Sequence, residues 1–65
     1  MNVKFYLGRF GEERFLFEDL YSKIVPEKNS FVFFDDVCYK VMYSMIDYDH
    51  NEHSVFLREV IEEDF

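Results

Sequence analysis

Apolar and polar positions alternate with a period of two over most of this chain. In "VKFYLGRF", Val3, Phe5 and Leu7 fall on one side and Lys4 and Tyr6 on the other, which is the pattern of a half-buried β-strand. Gly11, Glu12 and Glu13 follow as a turn. The next stretch, "RFLFEDLYSKIV", carries two periods at once. Phe15 and Phe17 alternate with Arg14, Leu16 and Glu18, whereas Phe17, Leu20, Tyr21 and Ile24 fit the spacing of one helix face. The reading is a strand over residues 14–18 and a helical turn over residues 19–23, ended by Pro26. "SFVFF" is a short apolar run rich in β-formers, and Asp35-Asp36 is a two-residue hairpin turn. "VCYKVMYSMIDY" predicts the clearest strand, with Val37, Tyr39, Val41, Tyr43 and Met45 on one face. "HSVFLREVI" alternates again, placing Val55 and Leu57 opposite Phe56 and Arg58.

These elements predict one all-β domain over residues 1–65. Its expected architecture is a five-stranded antiparallel barrel or curled sheet, SH3-like in size, with one short helical turn. Closure or curling hides the sheet edges. The expected core is Val3, Phe5, Leu7, Phe15, Phe17, Ile24, Phe31, Phe33, Val37, Tyr39, Val41, Tyr43, Val55 and Leu57. No internal repeat or linker interrupts the chain.

Composition explains how so short a chain sustains a core. A domain of this size buries only about 60% of its unfolded surface, so each buried residue must count. Nine Phe and five Tyr contribute to a 49% hydrophobic content, and a buried aromatic removes roughly 150–250 Å² from water. Tyr6, Phe10, Phe34, Tyr48 and Phe56 fall off the expected core face. An apolar patch left over in this way marks an interface, and a symmetric homodimer is its commonest form.

Charge narrows the range of partners. Fourteen acidic residues against seven Lys and Arg give a net charge of -7. The cations are scattered singly, which excludes the clustered basic face that direct nucleic-acid binding needs. A negative field steers toward basic partners instead. Cys38 is alone, so no intramolecular disulfide forms, and a reduced, small apolar side chain in a cytoplasmic protein is the expectation. "MNVKFYLGRF" has charges inside its apolar stretch, so no signal peptide is expected. No run approaches the ~18 apolar residues of a membrane helix.

The most chemical stretch is "DYDHNEH", residues 47–53. Asp47, Asp49 and Asn51 stand at the first, third and fifth places of a calcium loop, but Glu52 replaces the glycine that the sharp turn requires. Arg58, a cation, stands where a bidentate glutamate should close the shell. His50 and His53 are three apart, which on a strand points them to opposite faces, and a closed zinc site wants four ligands. Acid–base catalysis needs a cleft that shifts a carboxylate, and a hairpin tip is exposed. Asp, Asn and His suit loop geometry and bond their own backbone, so the stretch reads as a polar hairpin loop. No phosphate loop, serine elbow or Cys-x-x-Cys occurs. The sequence therefore predicts a non-enzyme with no metal and no cofactor.

The order "VKFYLG…EERFLFEDL…IVPEKNSFVFFDDVCYKVMYSMIDYDHNEHSVFLREV" resembles small β-barrel proteins of Gram-positive bacteria and their phages. Pro26, Tyr39, Val41, Val55 and Leu57 match the shared pattern, and Asn29 stands where that pattern has glycine. The resemblance implies a fold and a mobile-element origin, and it brings no catalytic site. With the charge, it leads to the expectation of a small acidic binding protein that occupies a basic, nucleic-acid-binding surface of a protein partner. The expected contact residues are Asp35, Asp36, Asp47, Asp49, Glu52, Tyr48, Phe34 and Phe56. The alternative is a structural component of a phage particle or larger complex.

Overall fold

The computed structural model describes residues 2–20 and 24–65. Five strands form one sheet: β1 (Asn2–Leu7), β2 (Arg14–Asp19), β3 (Phe31–Phe34), β4 (Val37–Asp47) and β5 (Glu52–Glu59). A 3-10 turn at Glu62–Asp64 follows. The all-β architecture is as expected. The helical turn expected at residues 19–23 falls largely outside the described residues, and Asp19 itself ends β2.

The strand order is β2-β1-β5-β4-β3. The β1–β2 hairpin and the β3–β4–β5 meander are antiparallel, as alternation and turn chemistry predict. They join through β1 and β5, which run parallel, with Val3 opposite His53 and Leu7 opposite Leu57. The sheet is therefore mixed, a correction to the all-antiparallel expectation. The amide of Gly8 extends this central seam by donating to the Leu57 carbonyl at 2.9 Å.

The sheet curls about one face. On it Val3, Phe5, Tyr39, Val41, Val55 and Leu57 form the buried core, with Leu7, Leu16, Phe17, Val25, Val32 and Phe34 packed around them. Full burial of such side chains is worth about 1.5–3 kcal/mol each. Phe17 stacks on Phe5 at 4.4 Å and on Phe34 at 4.0 Å between ring centroids. That second stack draws the edge strands β2 and β3 toward one another and makes the face concave.

Two bulges move residues away from their expected places. In β2, Phe17 pairs with Phe5 but Phe15 pairs with Tyr6, leaving Leu16 as the extra residue. Phe15 thereby turns to the opposite, convex face. In β4, Val41 pairs with Leu57 and Tyr43 with Phe56, so Met42 is the extra residue and Tyr43 also turns convex. The register of β3 makes a third correction. Val32 sits opposite the buried Tyr39, so Val32 and Phe34 face inward while Phe31 and Phe33 face outward. Ile24 and Val37 are exposed as well, Ile24 at 78%.

The turns follow local chemistry. Asp35 and Asp36 both have positive φ, 52° and 63°, the backbone of a tight two-residue hairpin turn that Asp tolerates. Asn29 adopts φ 70°, the left-handed conformation that glycine would supply at that position. Its amide donates to the Val41 carbonyl, and Ser30 accepts from the Val41 amide, both at 2.9 Å. These bonds dock the β2–β3 connection beside β4.

Candidate functional site

The convex face carries a second apolar cluster. Phe56 is its centre and is 1% exposed. Tyr6 stacks on it at 5.6 Å, Tyr43 leans on it at 5.0 Å, and Phe10 meets it edge-on at 6.2 Å. Phe10 belongs to the β1–β2 loop, which folds back over the sheet. The Phe10 amide donates to the Tyr43 hydroxyl at 2.7 Å and fixes the loop there. Gly8 and Gly11 allow this fold-back, since both hold φ near +100°, which L side chains resist.

Polar groups border the cluster on both sides. At one border Glu52 accepts from the Tyr6 hydroxyl at 3.2 Å and from the Ser54 hydroxyl at 3.1 Å, and pairs with the Lys4 ammonium at 3.0 Å. Burial pushes the Glu52 carboxyl up, but the bonds from Lys4, Ser54 and Tyr6 outweigh it and hold the group below its usual range. Burial, helped by the Glu52 charge, raises the Tyr6 phenol. At the other border the 3-10 turn lies on the sheet. Asp64 accepts two bonds from the Arg58 guanidinium, at 2.7 and 2.9 Å, and pairs with Lys40 at 3.5 Å. Those Arg58 bonds, with one from the Ile61 amide, hold the Asp64 carboxyl far below its usual range. Phe65 stacks on Phe31 at 5.4 Å.

The residues expected to meet a partner divide into three groups. Phe56 is buried and offers no contact area, while Phe34 is half-buried against the concave core, so both are corrected. Glu52 is engaged by Lys4, Tyr6 and Ser54, and its role is internal. The remaining five are at the surface but not together. Asp35 and Asp36 precede β4, while Asp47, Tyr48 and Asp49 end it or follow it. Ten residue steps at about 3.3 Å per residue separate the two ends of β4 by roughly 30 Å, most of the molecule's 37 Å length. They are two sites, not one.

The "DYDHNEH" stretch is a hairpin loop. Asp47 accepts from the amides of Asp49 and His50 at 3.0 and 3.2 Å, closing the turn through its own side chain. Its second oxygen meets the His50 ring at 2.8 Å. The hydrogen bond to His50 lowers the Asp47 carboxyl, and the same bond raises His50 above its ordinary 6.5. Asn51 takes positive φ at the end of the loop. Among the described residues no group of three His, Cys, Asp or Glu converges as metal ligands would.

Beside this loop lies a shallow open groove of about 450 Å³, lined by Phe10, Met45, Ile46, Asp47, Tyr48 and Asp49. Tyr48 is 82% exposed and Phe10 64%. The alternation of β4 named Tyr48 as an outlying aromatic, but only the loop fold-back brings Phe10 to it across 38 positions of sequence. No known protein family, curated protein or solved structure matches this chain.

Proposed function

We propose that this protein is a small acidic binding protein without catalytic chemistry, encoded by a phage or mobile element, that occupies a basic surface of a protein partner. It is a candidate inhibitor of a host protein that handles nucleic acid. One observation carries the reading: exposed apolar side chains and a carboxylate with no ion pair among the described residues, Asp49, lie side by side at the β4–β5 end of the sheet. Three of the seven cations, Lys4, Lys40 and Arg58, pair with just two carboxylates, Glu52 and Asp64. The rest of the surface is therefore at least as acidic as the whole chain.

The test is capture of partners from a host lysate at low and at high salt. Carboxylate steering fades as the screening length falls from about 10 Å at 0.1 M to about 3 Å at 1 M salt. A DNA- or RNA-handling protein recovered at low salt, lost at high salt and lost with Asp49→Lys, supports the reading. Recovery of this chain alone, unchanged by salt or by Asp49→Lys, contradicts it. A second reading, a structural component of a particle or larger complex, draws on the opposite edge. There Phe33 is 70% exposed and Phe65 84% exposed beside Phe31. Association through those rings persists or tightens in high salt and falls with Phe33→Ser.

A further inference from the structure

We infer that the groove at the β4–β5 end takes an arginine side chain from an extended basic segment of the partner. The inference rests on the binding reading above and gives the partner its chemistry.

Four features of the groove select this occupant. Its lining includes the exposed rings of Phe10 and Tyr48 together with Met45 and Ile46 of β4. The fold does not bury these groups, although it buries Phe56 directly beneath Phe10. Its rim is anionic, and the two rim carboxylates differ. Asp47 spends both oxygens on the loop. Asp49 forms no ion pair among the described residues and is exposed. Flat rings beside a free carboxylate match a guanidinium, which stacks on an aromatic face while donating in its own plane. An ammonium, a compact and strongly hydrated charge, uses the carboxylate but gains less from the rings.

The backbone beside the groove explains why the segment is extended. β3 pairs with β4 only from Val37 to Lys40, and the docked connection at Asn29 and Ser30 reaches only Val41. No described strand flanks the far half of β4 on that side, up to Asp47. An open edge of this kind accepts a further strand by main-chain bonding. A strand added there runs past Met45, Ile46 and Tyr48, where one of its alternate side chains enters the groove. A phosphate or nucleic-acid ligand meets Asp47 and Asp49 and is repelled. A purely apolar ligand finds a groove too open to remove it from water.

The experiment is nuclear magnetic resonance titration of the isotope-labelled full chain with a synthetic peptide of alternating Arg and Val. Lys–Val and Glu–Val peptides of equal length serve as comparisons. The expected result is shifts confined to the Met45 methyl, the Tyr48 ring, Asp49 and the amides of residues 43–47, with Arg preferred over Lys. Tyr48→Ala weakens binding about threefold to fivefold, as expected for an exposed cation–ring contact. Asp49→Asn weakens it about twofold to fivefold. Both positions are exposed, so each variant folds, and Asp35→Asn changes nothing. Shifts spread evenly over all acidic turns, or Asp35→Asn as damaging as Asp49→Asn, overturn the inference. So does equal binding of the Glu–Val peptide. If a lysate partner still binds through Asp35 and Asp36 while the groove stays silent, this inference falls and the broader binding reading stands. Silence from peptides and lysate alike removes both.

Discussion

The two faces of this sheet are both apolar at their centres, yet they are built differently. The concave face is a packed core of aliphatic side chains sealed by the Phe5–Phe17–Phe34 stack. The convex face has one buried ring, Phe56, covered by three amphipathic or exposed aromatics and fenced by the Lys4–Glu52 and Arg58–Asp64 pairs. The first face needs only exclusion of water. The second needs hydrogen bonds as well, because its covering loop is held by the Phe10 amide and the Tyr43 hydroxyl. The comparison teaches where function has room. A face closed by dry stacking leaves nothing to bind, whereas a face closed by a single loop leaves Phe10 at the surface, on the border of a groove.

The largest test of this contrast removes the two centres in turn. Phe56→Ala and Phe5→Ala are each expected to cost about 3–5 kcal/mol, against a total that for this length is roughly 3–10 kcal/mol. Both variants should therefore lose a large share of the total and unfold at a much lower denaturant concentration than the parent chain. A Phe56→Ala protein of near-normal stability would make the convex cluster a mere surface decoration.

The next test separates packing from bonding. Tyr43→Phe keeps the ring on Phe56 but leaves the Phe10 amide without its acceptor, at an expected cost of about 0.5–1.5 kcal/mol. Hydrogen exchange at the Phe10 amide should quicken, while amides of the concave core keep their protection. Smaller still is the β3–β4 turn, where Asp36→Gly relieves a positive φ of 63°. It should stabilise by up to about 1 kcal/mol, read from the midpoint of chemical unfolding.

The smallest effect belongs to the β4–β5 loop. His50 is raised above its ordinary 6.5, so what it contributes is fully present below that value and is lost as pH rises through its folded pKa. Asp47 is lowered from its ordinary 3.8, so its contribution is present above that value and is lost as pH falls through its folded pKa. The pair is thus strongest between about pH 4 and 6.5. A resonance titration should show His50 titrating above 6.5 and returning to it in Asp47→Asn.

Much of this was legible in the sequence, within physical limits. Strict alternation located β1, β4 and β5, and two adjacent Asp residues marked a tight turn, because both signals are local. Val3, Phe5, Tyr39, Val41, Val55 and Leu57 were legible as core for the same reason. The parallel β1–β5 seam was not, since it joins residues some fifty positions apart and no local pattern encodes it. The bulges at Leu16 and Met42 reverse the side-chain parity partway along a strand, which is why Phe15 and Tyr43 leave the core face. "SFVFF" has apolar residues on both parities, so only its pairing with Tyr39 decides that Phe34 points inward. Phe56 was assigned to the surface because alternation supposes one buried face, and this sheet has two. Of the candidate site, Tyr48 and Asp49 were legible as exposed loop residues. Phe10 was legible as an aromatic off the core face, but its place beside Tyr48 was not, because a loop folding back across the sheet brings it to the groove.

The central claim is that Phe56 anchors a second, convex core beneath the β1–β2 loop. The most direct measurement is the set of through-space proton contacts from the Phe56 ring in solution. The structure predicts contacts to the Tyr6, Phe10 and Tyr43 rings and none to Val3 or Val41. Contacts to Val3 or Val41, or a Phe56 ring without contact to Phe10, would contradict it.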